Sequence, residues 1–291
     1  MTADRPPLFS VVIATHNRPA FLAEAIDSVL AQTVQDFEVV VVDDASDPPV
    51  PPHPDPRVRI VRQEPNGGPS RAFNTGAEAA VADYLAFLAD DDWYTPDRLE
   101  VALDGLQRAP VTLCWGGYPE DSGRGGPMLE GHAYDAVLDW GFAPGVGTTA
   151  LRREYFIPFD EHFLACEDVD WWLRLAPTCR VSTEPKYCYL VRRHDEVRGI
   201  HGVAARLDGS LLLLERHRTY FARHRRARAF RLRRIGVYRS TLGQRRRALG
   251  SLLRSLAARP DPTTARALLR TLRPRRSSRP TVRGTPATGR P

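Results

Sequence analysis

Four short runs of β-branched and aliphatic residues, separated by stretches with helical apolar spacing, constrain the first hundred residues more tightly than any other feature. Residues 10–15 (SVVIAT), 37–42 (FEVVVV), 58–62 (VRIVR) and 84–88 (YLAFL) have the length and composition of buried strands. After the first, Pro19 suits the first turn of a helix, and Phe21, Leu22, Ala25, Ile26, Val29 and Leu30 carry it to about Gln32. Asn66-Gly67-Gly68-Pro69 is a turn, a helix is expected over residues 70–81, and Pro96 opens another that runs to 108. This alternation predicts βαβ units and a mainly parallel sheet. Such sheets bind ligands beyond the carboxyl ends of their strands. Two acidic clusters, Asp43-Asp44 and Asp90-Asp91-Asp92, fall at those ends.

Beyond residue 110 the pattern loosens. A strand is expected at 111–115, a glycine-rich loop at 116–147, strands at 148–153 and 186–192, and a helix at 167–176 (EDVDWWLRLA). From residue 204 the chain is helical and rich in arginine, and residues 277–291 have the composition of a disordered tail. The division expected is a domain at 1–203, a basic helical extension at 204–276 and a tail at 277–291. Charge follows that division. Residues 1–200 carry 17 basic and 32 acidic side chains, whereas residues 201–291 carry 24 arginines against Asp208, Glu215 and Asp261. An acidic, cation-using head and a basic segment suited to an anionic surface follow from this asymmetry. The four cysteines form no CxxC pair and read as buried, reduced thiols. No apolar run is long enough for a membrane span, and residues 1–7 lack the pattern of a signal peptide.

Asp90, Asp91 and Asp92 repel one another unless a cation or a helix N-terminus is close. Two readings stay open: ligation of a divalent cation, or capping of the helix opened at Pro96 by Asp92 or Thr95. Capping requires one such residue rather than three. Glu167-Asp168 at a helix start could supply a general base, or could simply complement the helix dipole. Trp171 and Trp172 read as core or cavity wall.

Taken together, SVVIATHNRPAFLAEAIDSVLAQT with FEVVVVDDAS, NGGPSRAFNTG, FLADDDWYTPDRL and ACEDVDWWLRLA resemble, in order, four motifs of the family 2 glycosyltransferases. The resemblance covers roughly residues 10–194. It implies a GT-A-like, three-layer α/β/α nucleotide-sugar-binding domain, here with a C-terminal helical extension. It also implies inverting transfer of a sugar from a nucleotide-sugar donor, assisted by Mg²⁺ or Mn²⁺. Thr15 and Asp44 fall where the family contacts the nucleobase, usually uracil or thymine, with Asp43 beside them, and Arg71 matches an arginine near base and diphosphate. Asp90 and Asp91 match the DxD region, Asp91 as metal ligand and Asp90 nearer the donor's ribose or sugar. Asp168 matches the general base and Glu167 its neighbour; His194 resembles a histidine that in some members reaches the metal or diphosphate. Ala89 stands where many members have the first DxD aspartate, and residues 116–147 match nothing in the family.

The donor expected is a UDP- or dTDP-sugar. The acceptor is a glycan, a lipid-linked compound or a small molecule bearing a hydroxyl, in bacterial glycan or cell-envelope glycoconjugate synthesis. The alternatives are a non-catalytic nucleotide-sugar-binding protein of the same fold and a nucleotidyltransferase. Retention of Asp91 and Asp168 argues against the first, and the absence of a glycine-rich phosphate loop in HNRPAF argues against the second. A cytoplasmic location is expected. The basic extension is read mainly as a helical subdomain with solvated arginines, with peripheral contact at the inner face of an anionic membrane as an addition. Nucleic acid is not an expected partner, because the extension lacks interleaved aromatics.

Overall fold

The computed structural model describes residues 5–119, 145–192 and 200–273. Phe9–Thr15 (β1), Phe37–Asp44 (β2), Val58–Gln63 (β3) and Tyr84–Ala89 (β4) pair in parallel in the order β3-β2-β1-β4. The register sets Thr15 beside Asp43 and Ala14 beside Ala89, so the three central strands finish level. Their continuous apolar runs are explained by burial on both faces. Val11, Ile13, Val39 and Val41 face one side with Leu22, Ala25, Ile26 and Val29 of α1 (Pro19–Leu30) and Leu99, Ala102 and Leu106 of α3 (Arg98–Arg108). Val12, Val40 and Val42 face the other with Ala72, Phe73 and Ala77 of α2 (Gly68–Ala79) and Trp171, Trp172 and Leu175 of α4 (Glu167–Leu175). The result is the expected three-layer α/β/α arrangement, with Trp171 and Trp172 in its core.

Past β4 the sheet is mixed. Val111–Gly117 (β6), Thr149–Arg152 (β7), Val181–Leu190 (β8) and the two-residue Trp93–Tyr94 (β5) extend the order to β3-β2-β1-β4-β7-β6-β8-β5. β7 runs antiparallel to β4 and β6, and β8 runs parallel to β6. β8 begins at Val181, five residues before the expected start. Its first half is polar, and two of those groups find partners: the Ser182 hydroxyl donates to the Gly105 carbonyl at 3.0 Å, and Glu184 pairs with Arg108. Helix α3 begins at Arg98 rather than Pro96. Asp92 does not cap it; its carboxylate accepts from the Tyr189 hydroxyl and from the Arg192 N–H at 2.9 Å, which ties the acidic turn to β8.

Of the C-terminal helices, Ile200–Arg216 (α5), Arg218–Arg223 (α6) and the start of Arg225–Thr241 (α7) pack on α4 and on the loop before it, and Arg245–Ala258 (α8) and Pro262–Leu272 (α9) pack on α7 and on each other. Phe163 and Leu173 share a core cluster with Leu213, Phe221 and Ala227. Asp170, 2% exposed, accepts from Arg174 Nε at 2.8 Å and lies 2.8 Å from His217 Nε2. Arg216 donates to Asp160 at 2.6 Å. None of the helices among the described residues is long and apolar enough to cross a membrane.

The closest approach in this seam is backbone on backbone: a Cβ placed on Gly209 of α5 would lie 2.1 Å from the Ala165 carbonyl oxygen. A methyl there must push α5 away from the loop that precedes Glu167-Asp168. Gly209→Ala is therefore expected to destabilise the protein by about 1–3 kcal/mol, despite the better helix propensity of alanine. Its exposed neighbour Asp208, changed to alanine, should shift stability by no more than about 0.5 kcal/mol. Urea denaturation of the two variants checks the contrast, and equal stabilities would show that the seam is not close-packed.

Candidate active site

The level ends of β1, β2 and β4 open into a cavity of about 950 Å³. Its lining includes Thr15, His16, Arg18, Asp44, Asn66, Asp90 and Asp91 from the strand ends and the turns that follow them. Leu164, Ala165, Cys166, Glu167, Asp168 and Val169 come from the start of α4, and Gly202, Ala205, Arg206, Phe230, Arg231, Arg234 and Tyr238 from α5 and α7.

The two acidic clusters are not equivalent. Asp43 is outside the cavity wall and holds the loop after β2 in shape: its carboxylate accepts from Ser46 N at 2.9 Å, Val50 N at 3.0 Å and the Arg62 guanidinium at 2.6 Å. Burial alone would raise its pKa, but the bonds from Ser46, Val50 and Arg62 outweigh it and hold the carboxyl below its ordinary range. Asp44 lines the cavity and pins the Asn66-Gly67-Gly68 turn. One of its oxygens accepts from Gln63 Nε2 at 2.6 Å and Gly67 N at 2.7 Å, the other from Gly68 N at 2.8 Å. Arg71 is half-buried with its aliphatic stem over Gly67, where a Cβ would meet its Cδ at 2.3 Å; it does not line the cavity.

Asp90 and Asp91 are each 5% exposed and share one counter-charge. Arg18 Nη1 donates to Asp90 Oδ1 at 3.1 Å and to Asp91 Oδ2 at 3.0 Å, while the Thr15 hydroxyl donates to Asp90 Oδ2 at 2.8 Å. Burial, with Asp91 close by, pushes the Asp90 pKa up against the opposing pull of Thr15 and Arg18. One cationic nitrogen between two carboxylates marks where a divalent ion could bind. The two aspartates fit a site of one or two carboxylates completed by phosphate oxygens. Among the described residues there is no cluster of three or more His, Cys, Asp or Glu side chains arranged to hold a metal. His194 lies outside the described residues.

Glu167 and Asp168 occupy the first turn of α4, whose start is set by Cys166 in the left-handed region at φ 68°. Burial pushes the Asp168 pKa up, and it is opposed by a bond from the Val169 N–H at 2.8 Å and by the nearby charges of Arg231 and Arg206. Among the described non-glycine residues Asn17, Ala45 and Cys166 have positive φ, and all three lie in the turns around this cavity. Such backbone costs on the order of 1 kcal/mol per residue and gathers where geometry is functional.

The structure thus brings Thr15, Asp44, Asp90, Asp91, Glu167 and Asp168 to one cavity. Sequence reasoning missed Arg18, whose signal was its place in HNRP just after β1, where Pro19 drew attention to the helix start instead. It also missed the arginines of α5 and α7, which nothing distinguished among the 24 of the extension.

Known proteins with related sequences and folds agree with this layout. The family model described as glycosyl transferase family 2 matches residues 10–163. The succinoglycan biosynthesis proteins ExoW and ExoO of Rhizobium meliloti (strain 1021) are 39% identical over 116 residues and 42% identical over 115 residues, covering 36% and 38% of this chain. An uncharacterized glycosyltransferase of Rickettsia felis is 28% identical over 182 residues, 57% of this chain. The matched segments make up 36%, 33% and 30% of those three proteins, so the chain spans well under two thirds of their length. Among solved structures, S. aureus TarS (residues 1–349) superposes with a TM-score of 0.56 at 19% identity, over 87% of this chain and 81% of that one. The mannosyltransferase PcManGT of Pyrobaculum calidifontis does so with a TM-score of 0.59 at 19% identity, over 92% and 80%. These likenesses show the fold, a GT-A-like α/β sheet with C-terminal helices. The chain belongs to glycosyl transferase family 2.

Proposed function

We propose that this protein is an inverting glycosyltransferase that moves a sugar from a nucleotide-sugar donor, a UDP- or dTDP-sugar by preference, to an acceptor hydroxyl with the help of Mg²⁺ or Mn²⁺. The observation that carries this reading is the meeting of two kinds of carboxylate in one cavity. Asp90-Asp91 on the strand-end side shares a cationic nitrogen, and Glu167-Asp168 on the helix side is partly desolvated. Related structures hold the corresponding ligands: one of TarS is a complex with UDP-GlcNAc, and that of PcManGT is a complex with GDP-Man and Mn²⁺.

In this reading the nucleoside sits over the ends of β1 and β2, beside Thr15 and the Asp44-pinned turn. Asp91, with Asp90, holds the divalent ion. That ion, when bound, neutralises the diphosphate as it leaves. Asp90, bonded to Thr15, faces the ribose or sugar. Asp168 accepts the proton of the acceptor hydroxyl as its oxygen attacks the anomeric carbon from the face opposite the leaving group. Direct displacement inverts that carbon. Glu167 lies beside the base on the acceptor side. His194, outside the described residues, is proposed to reach the diphosphate or the ion.

A thermal-shift panel of UDP, dTDP and GDP, each with and without Mn²⁺, tests the donor site without knowledge of the acceptor. One nucleotide should stabilise the wild type in a metal-dependent way, by about 2.7 kcal/mol at a hundredfold excess over Kd, and Asp91→Asn should abolish the effect. Asp168→Asn should keep the nucleotide shift and lose about 10²- to 10⁴-fold in donor turnover, read as nucleoside diphosphate released. A well-folded wild type that responds to none of the nucleotides would instead favour a non-catalytic member of the fold.

Asp168 must be deprotonated to act, and burial raises its pKa above the ordinary 3.8. The acidic limb of the turnover profile is therefore expected above the pH at which an ordinary carboxylate titrates, with activity falling as pH drops through it. A limb at or below that value would speak against Asp168 as the base.

A membrane-facing role for the extension has its own support. Leu253 of α8 and Leu269 and Leu272 of α9 are 56%, 59% and 48% exposed. On α9, Arg266, Leu269 and Arg270 follow one another at helical spacing, and Arg273 comes directly after the helix end. Apolar side chains rimmed by arginines suit an anionic lipid surface. Sedimentation with phosphatidylglycerol vesicles at low salt should carry the protein down, and about 0.5 M salt should release it. Failure to sediment at low salt removes this contact.

A further inference from the structure

The wall of the cavity nearest the Glu167-Asp168 turn is built from the basic extension. Arg206 on α5 and Arg231 and Arg234 on α7 line it together with Tyr238. Arg231, Arg234 and Tyr238 follow at i, i+3 and i+7, which puts them on one face of α7. Arg206 and Ser210 stand one turn apart on α5, and Ser210 meets Arg231 across the two helices.

Arg231 is the telling member. It is 7% exposed and its charge is felt by nearby Asp168, yet its hydrogen-bond acceptors among the described residues are weak: Nη1 lies 3.3 Å from the Ser210 hydroxyl and 3.5 Å from Cys166 Sγ. Its Nε has no partner among the described residues, and it pairs with no carboxylate among them at ion-pair distance. A guanidinium taken from water without a matched acceptor is costly, and the usual remedy is a bidentate oxyanion. Arg234 is exposed, but its guanidinium is ordered over the Tyr238 ring at 5.2 Å with Nη2 donating to the Tyr238 hydroxyl at 2.5 Å. In the proposed reaction the donor's diphosphate would be neutralised on the strand side by the divalent ion at Asp90-Asp91, which leaves the arginine wall for a different oxyanion. The arginine wall adjoins Cys166, the residue just before Glu167-Asp168.

We propose that Arg206, Arg231 and Arg234 form a phosphate-binding acceptor subsite, so that the acceptor is a phosphate ester or diester presenting a hydroxyl to Asp168. Three forked cations match the charge and the several oxygens of a phosphate better than those of a single carboxylate. The assignment rests on Asp168 being the base, since that is what makes this wall the acceptor side. A free phosphorylated polyol and a lipid-borne phosphodiester headgroup offer the same chemistry to the arginines.

The test is calorimetric titration of the full chain, first saturated with Mn²⁺ and the nucleotide found to stabilise it. The probes are glycerol 3-phosphate, the water-soluble dihexanoyl phosphatidylglycerol, glycerol and glucuronate. Both phosphate probes should bind, glycerol should not, and Arg231→Gln and Arg234→Gln should each weaken phosphate binding at least tenfold while leaving the nucleotide shift unchanged. Arg234 is exposed, so that variant stands if Arg231→Gln fails to fold. Tighter binding of the lipid probe assigns the acceptor to a lipid-borne source; equal or weaker binding assigns it to a soluble one. Unchanged phosphate affinity in both arginine variants overturns the subsite, as does glucuronate binding as tightly as glycerol 3-phosphate. Competition between glycerol 3-phosphate and the nucleotide also overturns it, because the arginines would then serve the donor. Nucleotide binding is scored separately: its absence in the wild type faults the transferase reading, whereas loss of phosphate binding alone faults the subsite.

Discussion

Negative charge gathered at the ends of parallel strands is the constraint on which the rest of this structure depends. Register brings the ends of β1, β2 and β4 level, so Asp43, Asp44, Asp90, Asp91 and Asp92 converge within a few residues of one another. Each needs a counter-charge or a set of N–H donors, and the turns around the cavity are shaped by supplying them. Asp43 takes two backbone N–H groups and Arg62; Asp44 takes two glycine N–H groups and Gln63; Asp92 takes Tyr189 and the Arg192 N–H. Asp90 and Asp91 share a single Arg18 nitrogen, with one hydroxyl from Thr15. That shared nitrogen lies where the proposed reaction would bring a divalent ion.

The same logic explains where the backbone is strained. Asn17, Ala45 and Cys166 take φ of 56°, 59° and 68°, and each reverses the chain just where its neighbours must turn toward the cavity. Asn17 is fixed by its own bonds, donating from N to the Ser46 hydroxyl at 3.0 Å and accepting from Asp47 N at 2.7 Å. The turn after β1 is thereby stitched to the turn after β2. A left-handed residue is tolerable in such a place because the surrounding bonds over-determine it.

Much of this was legible in the sequence, and what was not had a physical reason. Buried parallel strands must be apolar on both faces, so β1, β2 and β4 announced themselves, and acids directly after such runs could only sit at strand ends. β5 was invisible because two residues carry no period, and the early half of β8 because its residues are polar, with Ser182 and Glu184 held by polar partners rather than by apolar burial. Asp43 and Asp44 read alike in the sequence. Only the loops packed around them separate a carboxylate that shapes a loop from one that faces the cavity. Arg18 was hidden by its own neighbour, since Pro19 explains the same tetrapeptide as a helix start.

The basic extension is the harder case, because its chemistry is decided by burial rather than by composition. A preference for arginine over lysine runs through the whole chain, whose only lysine is Lys186. It does not account for a buried guanidinium beside an acidic cavity. Most of the extension's arginines are exposed on the outer surfaces of α7, α8 and α9, where water screens them and each contributes little. Arg231 differs because it is buried against Ser210 of α5, and Gly209 beside that serine lets α5 approach the loop before α4, while Gly236 lets α8 approach α7. A Cβ at Gly236 would lie 2.6 Å from Leu252, and one at Gly209 would lie 2.1 Å from the Ala165 carbonyl. A glycine in a helix that gains nothing from its flexibility thus allows the extension to approach the loop before Glu167-Asp168, where three of its arginines line the cavity. The charge asymmetry of the chain, which from sequence alone suggested a surface-seeking tail, therefore also places cations opposite the acids that the strands bring together.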